Sequence, residues 1–387
     1  MGGGHPTCPH FREISLNALI RTHAALLFAG VTTFTLMGAG QSLYGPALPA
    51  FAREFGLTVA QAGWLISALW IGSAIGVAVM FFRGRAITPR HALGAMVVGS
   101  ALIAAGFGWV PTLVGSVIFG TGYGISTVVF NPRVLRAFGV KGPSMVSLLN
   151  AMFAVGAIAA PLIFVALGSN PHLAFAIVSG LCALIWLAAG TSGRTEEVAA
   201  GAISKPYRLR LGLLCFGVIC IGVEACLIGL GPTALIATGA SEETAARALS
   251  GFFVAFLISR TALVFTAHIL PPFAIYAGAM AGAALCAMAA TVLPAVPFFI
   301  AMGAFAGLFF PGFFVTASRL MGDDPRVTPT IIAAGLVGGI SSPVMLGQLL
   351  TSMGERGFFL VIAVVTVATA AVALILLRRI SAEVAQG

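Results

Sequence analysis

Residues 60–82 read AQAGWLISALWIGSAIGVAVMFF, and not one of these side chains is charged. The recurrence of such stretches constrains the fold more than any other feature. A hydrocarbon core about 30 Å thick needs about 20 apolar residues per spanning helix. Segments of that kind run roughly at 24–50, 60–82, 91–110, 112–135, 144–167 and 171–190, then at 209–237, 248–268, 272–292, 296–318, 329–352 and 357–377. Spanning β-strands would be shorter and would alternate polar with apolar residues, which these do not. Composition agrees. Charged residues make up 8% of the chain, against about a quarter in a soluble domain. Hydrophobic residues make up 59%, and the mean hydropathy is +1.06. The expectation is an all-α membrane protein with twelve transmembrane helices.

A net charge of +9 is compatible with nucleic-acid binding, but the placement of the basic residues points elsewhere. With a cytoplasmic N-terminus, one side receives Arg12, Arg21, Arg83, Arg85, Arg90, Arg133, Arg136, Lys141, Arg194, Lys205, Arg208, Arg210, Arg319, Arg326, Arg378 and Arg379, with Arg260 nearest that side. The other side receives Arg53, Arg247 and Arg356. This is the positive-inside bias, and it puts both termini in the cytoplasm of a multi-pass inner-membrane protein. No nucleic-acid partner is expected. The first 20 residues are too polar for a cleavable signal peptide, which needs an apolar stretch of about 7–15, so the first span is expected to act as the insertion signal. The six cysteines (Cys8, Cys182, Cys215, Cys220, Cys226 and Cys286) form no CxxC pair and read as unpaired apolar fillers. His5, Cys8 and His10 cluster near the N-terminus, but an untethered terminus rarely holds a closed ligand set, and no metal site or cofactor is expected.

One long connection, 191–208, mixes charge, Gly, Ser and Pro as a linker does. It divides the chain into a cytoplasmic segment (1–23), a six-helix bundle (24–190), the linker, a second bundle (209–377) and a tail (378–387). The halves repeat. Gly45-Pro46 in span 1 answers Gly231-Pro232 in span 7. Gly156 and Pro161 in span 5 answer Gly338 and Pro343 in span 11, and Arg136 answers Arg319. A nearly constant offset is what a duplicated unit leaves behind, and six spans per half make the repeat parallel. Glycine lets helix backbones approach closely and proline bends a helix, so these eight Gly and Pro residues suit gating as well as static packing.

Within the spans, Glu224 stands out, in CIGVEACLIGLGP (220–232). All other acids fall at span ends or in loops: Glu13, Glu54, Glu196, Glu197, Glu242, Glu243, Asp323, Asp324, Glu355 and Glu383. An ionised acid at that depth costs on the order of 3 kcal/mol on insertion scales. Such a group faces a wet cavity, pairs with a base or is protonated. Loss of water favours the neutral acid, which suits proton loading and release. The alternative is a neutral Glu224 bonded to a neighbouring helix. Arg260 lies about 20 Å along span 8 by helix rise and is expected to snorkel or cap carbonyls, meeting Asp323 or Asp324. Arg133, near the inner end of span 4, reads as structural too unless it attracts an anionic solute. Gln41, Tyr44, Tyr123, Asn131, Asn150 and Gln348 are uncharged polar candidates for solute binding, each equally suited to holding helices together. No HExxH, GxSxG or P-loop lysine sequence occurs. No enzymatic activity is expected, and uphill transport would have to borrow an ion gradient.

This plan of twelve spans, a 6+6 parallel repeat and a cytoplasmic linker resembles the major facilitator superfamily over essentially the whole chain. NAMFAVGAIAAPLI (150–163), GVEACL (222–227) and SGFFVAFLISR (250–260) resemble spans 5, 7 and 8 of its fucose–proton symporter branch. Asn131-Pro132 matches that branch's span-4 Asn-Pro, and Gly156-x3-Ala160-Pro161 is similar to the span-5 motif of the superfamily's antiporters. Three departures stand out. Thr127 occupies the place of the branch's proton-linked span-4 glutamate, and GQSLYGPALP (40–49) offers Gln41 where the branch has an acid. FFRGRAITPR (81–90) keeps the basic residues of the loop between spans 2 and 3 without its Asp.

The resemblance implies two pseudo-symmetric six-helix bundles rocking around a midplane site, with span 7 lining the cavity. It also implies a secondary transporter that moves a small organic solute. The chain is expected to be monomeric, and Glu224, singled out by its depth in span 7 rather than by the resemblance, is the expected proton-coupling group. Proton-coupled efflux of drugs or metabolites is the alternative within transport. A non-transporting receptor or assembly factor would need a soluble domain or long loop, and the chain shows neither.

Overall fold

The computed structural model describes residues 20–83, 87–188, 207–266, 269–322, 324 and 326–386. The linker expected at 191–208 therefore lies almost wholly outside the described residues, as do His5, Cys8 and His10. Twelve long helices follow one another, named α1 to α12 here. The first six are α1 (Ala24–Phe55), α2 (Val59–Arg83), α3 (Pro89–Ala104), α4 (Trp109–Ala137), α5 (Gly142–Ala166) and α6 (Pro171–Ala188). The second six are α7 (Leu211–Ala237), α8 (Glu242–Thr266), α9 (Pro272–Val292), α10 (Ala295–Met321), α11 (Val327–Met353) and α12 (Phe358–Gln386). Ten are long and apolar enough to cross a membrane, while α3 and α6 are shorter.

The boundaries differ from the apolar segments for local reasons. Helix α3 stops at Ala104 because Gly106 and Gly108 take positive φ (66° and 118°), so α4 begins early at Trp109. Helix α1 runs on past Pro46 and Pro49 into a charged last turn with Arg53 and ends at Gly56, in the left-handed region at φ 63°. Helix α8 starts with Glu242 and Glu243, where carboxylates favour the positive end of the helix dipole.

Short turns return each helix antiparallel to the one before. One face of the molecule therefore collects the ends nearest the linker (the linker face), and the other collects the opposite ends (the far face). The two halves are built alike. In the first, α1 packs on α5, α2 on α4, and α3 on α4 and α6. In the second, α7 packs on α11, α8 on α10, and α9 on α10 and α12. The sequence sets these seams through residues small enough for backbone contact. A Cβ on Gly120 would strike Leu69 and one on Gly124 would strike Ser73. In the second half, Gly303 sits on Phe252 and Gly307 on Phe256. These pairs, and the Thr35–Gly156 and Val218–Gly338 contacts, map onto each other at an interval of 183 residues, or 182 at Gly156 and Gly338.

That interval revises one sequence pairing. Gly45 corresponds to Ile228 rather than to Gly231, and a Cβ on Gly45 would meet the Ile228 carbonyl itself. Gly231 instead lies against Phe299 within its own half. The pseudo-twofold axis thus passes between α1 and α7.

The halves meet through α2 with α11, α5 with α8, and α1 with α7. Named contacts between them lie from the middle of the helices to the far face: Gly339 against Trp70, Gly229 against Ile66, Gly63 against Pro343 and Gly347 against Ala60. The Ser250 hydroxyl donates to the Ile158 carbonyl at 2.8 Å, and Arg53 pairs with Glu242. Toward the linker face the same helices carry exposed apolar side chains. Val155 on α5 and Val254 and Ile258 on α8, one and two turns from the Ile158–Ser250 contact, are exposed, as is Val337 on α11. Apolar side chains such as Leu184 and Leu187 on α6 and Val364 and Ile375 on α12 cover the exterior, as suits a lipid solvent.

Candidate functional site

Glu224 lies halfway along α7, whose small residues let it sit at the centre of the molecule. Gly222 rests on Ser342 of α11, Gly217 on Phe313 of α10 and Gly229 on Ile66 of α2. These contacts take up the sides of α7 and leave Glu224 partly exposed. Its Oε2 is buried without a hydrogen-bond partner. Electrostatically it faces Arg260 of α8 in its own half and Tyr123 of α4 in the other. The sequence expectation of a lone acid within the spans holds for the described residues: Glu54, Glu242, Glu243, Asp324, Glu355 and Glu383 all lie at helix ends or turns.

Across the axis, the Tyr123 hydroxyl donates to Gln41 Oε1 at 2.9 Å, and its ring stands edge-on to Phe153, 6.3 Å between centroids. Gln41 is the counterpart of Glu224 at the interval of 183 residues. Both lie one turn on the linker side of the Gly45–Ile228 contact. Equivalent places in the two halves therefore carry an amide and an acid.

Arg260 departs from its expected role. It does not reach Asp324, which pairs with Arg326 at 2.9 Å. Its Nε donates to the Gly307 carbonyl of α10 at 3.1 Å, and its guanidinium carbon lies 4.3 Å from the Phe256 ring centroid. The expectation that it binds a carbonyl is met, but deep in the second half and in reach of Glu224. Asp323 lies outside the described residues.

The other polar candidates scatter. Tyr44 is 1% exposed, with its ring between Phe119 and Phe175 inside the first half, which corrects its expected place at the solute site. Asn131 is partly buried near the linker-side end of α4, with Oδ1 unpartnered. Asn150 is exposed and donates to its own helix at Val146, 2.9 Å away. Gln348 is exposed in the far half of α11. Arg133 is half-buried beside Arg136 near the linker face. Thr127 turns its hydroxyl back to the Tyr123 carbonyl at 3.1 Å. A cavity of about 340 Å³ at the far face, lined by Leu48, Thr58, Thr233, Thr351 and Glu355 among others, is separate from Glu224.

Three contributors escaped the sequence reading: the Phe256 ring, the Gly307 carbonyl and the Arg53–Glu242 pair. The first two are ordinary span residues whose role depends on which helix faces which. The third carried a faint signal, since opposite charges stand at neighbouring span ends.

No protein-family model and no curated protein matches the sequence. Solved structures do match. A D-xylose–proton symporter is 14% identical over 90% of this chain and 97% of its own, with a TM-score of 0.72. The nucleoside transporter NupG is 14% identical over 91% and 98%, with a TM-score of 0.73. The E. coli fucose:proton symporter FucP, a major facilitator superfamily transporter, is 19% identical in its outward conformation over 92% and 99%, with a TM-score of 0.60. The chain has the major facilitator fold, two six-helix halves about a pseudo-twofold axis.

Proposed function

We propose that this chain is a secondary active transporter that takes up a small organic solute together with protons by alternating access. The carrying observation is Glu224: one carboxyl group at mid-span, partly exposed, between halves whose named contacts run from mid-span to the far face. A transport site needs access from one face at a time, and a carboxyl group between two halves that can rock suits that requirement. The names of two structural neighbours, both proton symporters, favour the same chemistry. Described basic residues concentrate on the linker face, which we therefore assign to the cytoplasm of the inner membrane. Both termini lie there, and the monomer contains both walls of the site.

In this reading Glu224 loads and releases the proton, and Gln41 and Tyr123 form the solute-binding wall of the first half. Gly156 and Gly338 hold α1–α5 and α7–α11 as rigid pairs, and Gly45 is the point about which α1 and α7 roll. A thermal-shift screen of sugars, organic acids and drugs at two pH values identifies a solute, since a ligand of the folded state raises the melting temperature. In proteoliposomes, Glu224→Gln is then expected to abolish accumulation driven by a pH gradient while partly sparing solute exchange. Uptake that remains undiminished and equally pH-dependent removes Glu224 from the mechanism.

A further inference from the structure

The central space holds two opposite charges that do not neutralise each other. Glu224 and Arg260 interact electrostatically, yet no ion pair joins them among the described residues. Arg260 is nevertheless rigidly placed. Its Nε is committed to the Gly307 carbonyl and its face to the Phe256 ring, two contacts that fix the plane of the group. The terminal nitrogens have no hydrogen-bond partner among the described residues, and the side chain is partly exposed. Desolvating a guanidinium without pairing its charge is costly. A guanidinium held by one edge and one face presents a fork that matches a carboxylate bidentately.

We propose that Arg260 is the solute-binding cation of the central site and that the solute is an organic carboxylate. The proposal rests on the transport reading above and names its substrate class. Tyr123, which is partly exposed and held by Gln41, supplies aromatic surface for the body of such a solute. The titratable groups in electrostatic reach of Arg260 are Glu224 on α7 and Tyr123 on α4; Cys220, one turn from Glu224, interacts with Glu224. From α10 the Gly307 carbonyl accepts the hydrogen bond from Arg260 Nε.

The arrangement couples the two ligands. Ionised Glu224 competes with an incoming carboxylate for the field of Arg260 and repels it. Protonation of Glu224 removes that competitor. Proton and anion therefore bind with positive coupling, and each strengthens the other by the same factor.

The test uses the purified full chain and matched probes: lactate with lactamide, benzoate with benzamide, and succinate with succinamide. Binding is read by thermal shift at pH 5.5 and pH 8. At least one carboxylate is expected to bind about tenfold or more tightly than its amide, the size of a charge-assisted hydrogen-bond pair, and more tightly at pH 5.5. Arg260→Met is expected to erase the preference for the carboxylate. Arg260→Lys, which keeps the charge without the fork, is expected to retain part of it and carries the test if the methionine variant does not fold. In Glu224→Gln the preference is expected to persist and to lose its pH dependence.

A panel in which no carboxylate outperforms its amide overturns the proposal, as does an unchanged preference in both Arg260 variants. A carboxylate preference that depends on Arg260 but keeps its pH dependence in Glu224→Gln supports the substrate class and contradicts the proton role of Glu224. The two readings therefore fail separately.

Discussion

At the residue scale, the two halves present different chemistry at equivalent places. Gln41 and Glu224 flank the same axis, but only the second can change charge, so a protonation event acts on one half. Tyr123 ties the neutral side together through its 2.9 Å bond to Gln41. Losing one such bond costs about 1–3 kcal/mol when the partner stays desolvated and less when water reaches it. Tyr123→Phe is therefore expected to raise the KM for solute by up to about tenfold with a smaller effect on kcat and little loss of thermal stability. Steady-state uptake by the variant measures this. An unchanged KM would take Tyr123 off the solute's path. Glu224 was legible in the sequence because an acid among apolar residues needs a reason. The carbonyl that Arg260 binds and its nearness to Glu224 were not legible, because depth along a helix says nothing about what a side chain faces. The neighbours of Arg260 come from α7, α8 and α10, brought together by tertiary packing alone.

At the element scale, the spans were legible because a hydrocarbon solvent demands a length and a composition, and both can be read along the chain. Their ends were not, because helices here continue through charged and proline-containing turns, as α1 does through Pro46 and Pro49 to Phe55. The repeat was visible, but its register was set slightly wrong by matching Gly-Pro pairs. Backbone contacts define it better, since a glycine facing another helix's carbonyl cannot shift without a clash. The α1–α5 seam shows the constraint. A side chain at Gly156 would drive into the backbone of Thr35 and Ala39, whereas a Cβ at Gly180 on α6 meets nothing within 4 Å. Overpacking costs about 1–3 kcal/mol or more. Gly156→Leu is thus expected to lower the melting temperature markedly, and Gly180→Ala to stay within about 0.5 kcal/mol of the parent. Thermal unfolding in detergent compares them, and equal stability of the two variants would contradict the seam.

At the scale of the whole molecule, the named contacts between the halves run from mid-span to the far face. They include contacts suited to breaking. The Arg53–Glu242 pair is exposed, and such pairs contribute about 0–1 kcal/mol. The Ser250–Ile158 contact is a single hydrogen bond. Exposed pairs and single hydrogen bonds of this kind can separate if two bodies rock around Glu224, as alternating access requires.

The most direct test places spin labels across the α2–α11 seam, at exposed Thr58 and Ser352 on the far side and at exposed Phe82 and Thr328 on the linker side. Distances are measured in membranes with and without a solute and proton gradient. The account predicts two populations in which the far pair lengthens as the linker pair shortens. Distances that stay fixed during transport, or that lengthen together, would contradict it.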